Sequence, residues 1–436
     1  MFLRKIVLFV AILSVQLVFS QNPADAPTHQ HPSPMQDMPR MDMGTHQQQT
    51  QAEEEELGFS SGTSWSPRSQ PEYMWMTSYR SWQLMAHGAV FLTFNHQGGP
   101  RGGGKLESMN WLMLMEERKI GRGTLQFRQM FSAEPLTSPH PGFPELFQTG
   151  ETYKGAPLVD HQHPHDVFGE ISVRYVLPLG ERFAWTLYGG PAGEPALGPV
   201  TFLHRGSGWE IPSAPLGHHL QDSTHISYGV VTTGLIIGRF KLEGSAFNGR
   251  EPDERRYTID LGALDSFSGR LDFSPSKNWS MQYSYGHLRK PEALEQTNIN
   301  RQTASIEYNR PMENGNWASA VVWGRNEKTT EKSSQNSYLL ESTLNWAARN
   351  YGYTRMELVD KDELFEVPSH PSFRIGAYTF GGMRDLVQNS RMQMALGADV
   401  TFYSKPDALT PIYGSNPVSF KVFLRFRPGK MQGQKH

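Results

Sequence analysis

The chain has 436 residues, of which 37% are hydrophobic and 19% charged, with a formal net charge of −2. That charge balance argues against a nucleic-acid partner, and the absence of cysteine removes disulfides, thiolate metal sites and cysteine catalysis. With 41 glycines, 16 tyrosines and 10 tryptophans, the chain does not read as a helical enzyme; past the N-terminus it has no apolar run of about 18 residues to form a membrane helix.

Arg4 and Lys5, the apolar stretch Ile6 to Val18, and Val18-Phe19-Ser20 before Gln21 predict a secretory signal peptide over 1–20. Residues 21–80 lack any periodic apolar pattern and read as a disordered periplasmic tail rich in His, Met and Gln. His29, His31 and His46 lie there around Met35, Met38, Met41 and Met43. Thioether sulfur suits Cu(I), and imidazole suits Cu(II) and zinc. The tail is therefore expected to collect copper; a compositionally biased linker is the plainer alternative.

From about Trp82 to residue 427 the pattern is period-2 alternation, as strands require. Val418, Phe420, Val422, Leu424 and Phe426 share one face, with Ser419, Lys421, Arg425 and Arg427 on the other. About sixteen strands are expected (fourteen to sixteen), over 84–96, 105–117, 123–133, 167–177, 181–190, 225–237, 239–248, 267–274, 278–288, 301–309, 316–326, 337–347, 350–360, 372–384, 391–403 and 418–427. Their connections alternate between short turns, such as Pro275-Ser276-Lys277, and long loops, such as 134–166 and 191–224. Short turns on one side and long loops on the other are the pattern of a transmembrane barrel. The fold class is thus all-β: a closed antiparallel transmembrane barrel over 81–427, with a C-terminal tail over 428–436. About sixteen strands would enclose a water-filled lumen. Trp82, Trp185, Trp279, Trp317, Trp323, Trp346, Tyr351 and Tyr353 are expected to form aromatic girdles at the membrane interfaces.

Two loop segments concentrate metal-type ligands. Asp160-His161-Gln162-His163-Pro164-His165-Asp166 closes the first long loop, and His218-His219-Leu220-Gln221-Asp222-Ser223-Thr224-His225 closes the longest. The candidate ligands are His161, His163, His165, Asp166, His218, His219, Asp222 and His225. Both segments are expected near the outer mouth, His225 sharing the lumen parity of Ser227, Gly229 and Thr233. One site could take His163, His165, His219 and His225, with Asp166 and Asp222 as ligands or orienting groups. A shared site requires the two clusters to lie within about 10 Å, since imidazole–metal bonds are only about 2 Å long. The competing reading is a hydrogen-bond network that folds the loops into the lumen. His161-Gln162-His163 also matches a metal-dependent amidohydrolase pattern, without the alternating helices of that α/β barrel, and Ser223 with His225 could form a nucleophile–base pair, a two-apart spacing that is common by chance.

Glu170, Arg174, Lys241, Glu243, Arg270 and Asp272 are expected to line the lumen, as are Glu307, Glu341, Arg355, Glu357, Arg374, Asp399, Lys421 and Arg425. Both signs of charge occur, to orient polar solutes or simply to solvate the wall.

The segments His161-Gln162-His163-Pro164-His165-Asp166, Gly193 to Pro199, and Gly217-His218-His219 through Asp222-Ser223-Thr224-His225 resemble an uncharacterised family of bacterial outer-membrane β-barrel proteins. The resemblance spans roughly 80–427 and implies an outer-membrane location without an established activity. In layout alone, a Met/His tail before a barrel is similar to the copper-resistance outer-membrane B proteins. The leading expectation is a non-enzymatic, porin-like barrel that binds or passes transition-metal ions, copper first and zinc second. Its partners would be outer-membrane lipid and small ions or polar solutes; barrels of this type also allow homo-oligomers. The alternatives are a general polar-solute porin whose His/Asp loops constrict the pore, and an outer-membrane hydrolase.

Overall fold

The computed structural model describes residues 58–222, 226–365 and 371–431. The expected signal peptide, the tail ligands His29 to His46, and Ser223 and His225 all lie outside the described residues.

Sixteen antiparallel strands form the wall: β1 (Trp82–Gln97), β2 (Gly103–Ile120), β3 (Gly123–Phe131), β4 (Phe168–Gly180), β5 (Phe183–Ala192), β6 (Val230–Ile237), β7 (Phe240–Phe247), β8 (Ser266–Phe273), β9 (Trp279–Leu288), β10 (Ile299–Met312), β11 (Gly315–Lys328), β12 (Ser334–Trp346), β13 (Asn350–Lys361), β14 (Phe373–Gln388), β15 (Met392–Ser404) and β16 (Val418–Pro428). Each pairs with its sequence neighbour. The first and last strands then pair with each other, with Val90 opposite Phe426 and His96 opposite Phe420, so the sheet is a closed barrel. Closure pairs the first strand with the last, as an apolar solvent demands of a sheet. All sixteen expected strands are present, with ends shifted by a few residues.

Side chains alternate across the wall as a half-lipid, half-lumen surface requires. In β6, Val231, Leu235 and Ile237 are exposed while Val230, Thr232, Gly234 and Ile236 are buried. Leu92, Phe94, Leu242, Phe267, Val321, Leu396 and Val422 continue this exposed apolar belt around the barrel. At the short-turn end, Trp279, Tyr308 and Trp317 form an aromatic cluster, with centroids 4.4 and 5.7 Å apart.

Three expectations about facing are corrected. Thr233 lies on the outer face, where its hydroxyl accepts from Trp185 Nε1 at 2.9 Å; the apolar residues of β6 occupy the odd positions and fix the parity. Arg374 also points outward, paired with Asp360 at 2.6 Å, because Ile375 and Ala377 take the inward positions. Tyr351 and Tyr353 face inward instead of joining a girdle, donating to Asp385 and Asp399 at 3.2 and 3.0 Å.

The water-filled lumen is a further correction, because two inserts occupy it. Residues 58–80 were expected to belong to the tail. Instead, Met74–Tyr79 is a strand paired with the start of β1, and residues 58–73 run as a strap inside the barrel. Thr63 accepts hydrogen bonds from Lys241 and Arg270, Ser60 from Arg128, and Trp65 from Ser280. The long β5–β6 connection enters from the opposite end. Its Arg205 pairs with Glu341 of β12 at 2.8 Å, and its Glu210 with Arg427 of β16 at 2.9 Å. Thr201 of this loop donates to Ser61 of the strap at 3.3 Å, so the two inserts meet inside the lumen.

The packing is core-like. Phe202, Leu203, Ile211 and Ala214 of the loop cluster with Phe91, Met109, Tyr351 and Phe423 of the wall. Lys241, Arg301, Glu341 and Arg425 are each 0% exposed. The wall charges pair with one another across neighbouring strands and with the inserts, and together these supply the partners that water would otherwise supply.

Candidate metal centre at the long-loop end

The first long loop and the β5–β6 loop meet at the long-loop end of the lumen. His218 and His219 sit on a short buried helix, α1 (His218–Gln221). Its orientation is set locally: His218 Nδ1 lies 2.7 Å from the Pro215 carbonyl, and Leu216 N–H donates to Glu357 of β13. Gly324 of β11 lets the helix lie against the wall, since a Cβ there would stand 2.1 Å from the Leu220 carbonyl oxygen. Gly150, at φ +114°, brings the first loop against the His219 ring, where a Cβ would lie 3.0 Å from ring carbons.

From that first loop, His163 enters the same pocket. One ligand nitrogen from each of His163, His218 and His219 lies within 4.8 Å of the others, and all three side chains are buried. Ring centroids are 5.9 Å apart for His163–His219 and 4.1 Å for His218–His219. The two sequence clusters therefore meet well within the distance a shared site requires. Three imidazoles converging at this spacing can hold a transition-metal ion, with a fourth position left to a carboxylate or water.

Carboxylates surround the three rings. Glu151 Oε1 stands 3.1 Å from His163 Nε2, and Glu251 Oε1 stands 3.2 Å from His219 Nδ1. Both glutamates line a cavity of about 1030 Å³ between the loops. Its walls carry seven carboxylates (Glu151, Glu251, Asp253, Glu254, Glu292, Glu295 and Glu363) against three cations (Arg250, Arg255 and Lys290). Burial and the nearby Glu151 raise the Glu251 carboxyl well above its ordinary range. Burial with Glu251 and Glu363 does the same to Glu292. Burial also keeps His219 neutral, lowering it to about 4, and a neutral imidazole is the ligating form.

The other expected ligands are held elsewhere. Nδ1 of His165 is 2.8 Å from Glu134, whose charge raises the imidazole despite burial and favours its non-ligating form. Asp166 is paired with Arg256 at 3.4 Å, and Arg256 also holds Glu151 at 2.9 Å. His161 turns back on its own loop, its Nδ1 3.3 Å from the Val159 carbonyl oxygen. Asp222 differs: its backbone carbonyl accepts from Arg301, while its carboxylate still acts electrostatically on His219. Glu151 and Glu251 were missed by the sequence reading. Both lie in loops without a local motif, and only the meeting of three loops brings them to the histidines.

Glu170, Arg174, Lys241, Glu243, Arg270 and Asp272 are all buried inside the barrel. They are ion-paired or stacked: Glu170 with Arg128 at 2.9 Å, Glu243 with Arg270 at 2.8 Å, Asp272 with Lys241 at 3.3 Å, and Arg174 over the Phe59 ring at 4.1 Å.

No family model matches the chain, and no curated protein does. Among solved structures, the chain is similar to an anion-selective porin from Comamonas acidovorans, with 11% identity, 79% of this chain and 99% of that chain covered, and a TM-score of 0.48. It is also similar to Salmonella typhi OmpF in complex with daunomycin (9% identity, 81% and 100% covered, TM-score 0.49) and to the outer-membrane channel DcaP of Acinetobacter baumannii (8%, 80% and 99%, 0.44). From its own geometry, the protein is a closed sixteen-strand barrel with an apolar outer belt, a filled lumen and a three-histidine cluster at its long-loop end.

Proposed function

We propose that the protein is a porin-like barrel of the bacterial outer membrane, reached by a cleaved signal peptide, that takes up transition-metal ions, copper first, at His163, His218 and His219. The observation that carries this is the convergence of three imidazole nitrogens within 4.8 Å at a carboxylate-lined cavity. The charged Asp253 and Glu254 of the cavity wall would draw cations from outside, and the imidazoles would select borderline metals from calcium and magnesium. The Met/His tail would serve the same ion on the periplasmic side. Calorimetry and metal analysis on the purified full chain should show Cu(II) or Zn(II) bound. The triple substitution His163→Ala, His218→Ala and His219→Ala should remove one equivalent. Unchanged stoichiometry in that variant would sink the imidazole site.

A second reading, a polar-solute channel narrowed by its own loops, is favoured by the insertion of the β5–β6 loop through Arg205 and Glu210. It predicts planar-bilayer conductance that ignores added copper and rises when residues 199–214 are replaced by a short Gly/Ser linker. The hydrolase reading rests on Ser223 and His225, which lie outside the described residues. It would require esterase turnover that Ser223→Ala abolishes.

A further inference from the structure

Another group of soft donors lies at the opposite end of the lumen, in residues the three-histidine site does not use. Strand pairing sets them in rows on the inner face. Met74 is opposite His87, His87 opposite Met113, and Met113 opposite Met130. One row nearer the short turns, Met76 is opposite Met85 and Met85 opposite Met115. Directly opposed residues on one sheet face hold their Cβ atoms about 5 Å apart, so neighbouring thioether and imidazole groups can reach a common centre. From the β5–β6 loop, His204 joins them, its ring 5.4 Å from His87.

Methionine in a protein interior usually fills irregular gaps. Here the rows border a gap instead. Met74, Met85, His87, Met113, Met115 and His204 line a cavity of about 190 Å³ that the strap borders on its other side. Of the five arginines that line it, Arg68 among them, Arg128 pairs with Glu170, Arg425 with Glu210 and Asp385, and Arg427 with Glu210, while Arg174 lies over the Phe59 ring. Glu72 and Glu117 also line the cavity. Thioether and imidazole donors without thiolate suit a soft, low-charge cation.

We propose that this wall is a second metal site, taking a soft monovalent cation of the Cu(I) or Ag(I) class through Met85, Met113, Met115 and His87. It deepens the copper reading while sharing no residue with the three-histidine site, so the two can fail separately. The probe is Ag(I), added to the full-length chain in detergent. Trp111 and Trp209 line the same cavity, whereas residues 21–57 contain no tryptophan. Quenching of tryptophan emission therefore reports on the barrel and not on silver held by the tail. The expected result is saturable quenching with at least one barrel-bound equivalent. Met85→Leu, Met113→Leu and Met115→Leu together should abolish both, and the His163/His218/His219 alanine variant should retain them. Leucine is close in volume to methionine, and single Met85→Leu and Met113→Leu variants, each expected to weaken binding, stand in if the triple variant does not fold. Equal quenching and stoichiometry in the methionine variants, or no quenching in the unaltered chain, overturns the proposal.

Discussion

Single residues decide how closely the inserts approach the wall. Gly150 holds a positive φ against His219. Gly150→Ala adds both backbone strain and a steric clash, and should cost about 1–3 kcal/mol; it should also weaken metal binding, measured as a lower melting temperature and a raised dissociation constant. Glu194 acts on the strap: Gly62 packs on it so closely that a Cβ there would be 2.9 Å from the Glu194 Cβ. Burial, then the neighbouring Glu170, raises the Glu194 carboxyl to about 8, opposed by a hydrogen bond from Ser61 and by Arg128. Its folded-state pKa lies above the unfolded value, so the folded form binds more protons between these two values. The stabilisation is complete below about 4.5 and is lost as pH rises towards 8. Glu194→Gln should flatten that part of the stability–pH curve, measured by thermal melts from pH 4.5 to 8.5. An unchanged slope would remove Glu194 as the cause.

At the scale of elements, the strap and the β5–β6 loop together fill the lumen. Trp65 anchors the strap, 4% exposed, with Lys241 over its ring at 4.9 Å. Trp65→Ala removes a large buried side chain, at a cost of about 3–5 kcal/mol, and should free the strap; the expected outcome is higher single-channel conductance in planar bilayers. Glu341 clamps the loop by accepting from Arg205 and Arg355, both at 2.8 Å. Glu341→Gln would leave two buried guanidinium groups short of a counter-charge, at about 3–5 kcal/mol, and should expose the loop to protease. These elements also show where sequence reading stopped. The sixteen strands were legible because alternation is a local, repeated signal, and the His clusters because three imidazoles crowd each short segment. The strap was not legible: Gly58 to Tyr73 has no period of its own, and its order comes from Lys241, Arg128 and Arg270, which are far away in the chain.

At the scale of the whole molecule, stability requires closure and an outer surface that lipid accepts. Leu92 lies in the exposed belt on the closing strand β1. Leu92→Arg should cost up to about 2–4 kcal/mol, and should prevent assembly into vesicles, read as loss of the heat-modifiable band on a gel; normal assembly would argue against the belt as the lipid face. By itself the sequence determined the barrel, the strand positions and the two histidine segments, since each depends on neighbours along the chain. Only the tertiary structure decided what fills the barrel, which histidines meet and which carboxylates stand beside them. Those pairings join residues far apart in sequence, and burial inside a closed wall makes each lumen charge take its partner from a neighbouring strand or from the segment that enters.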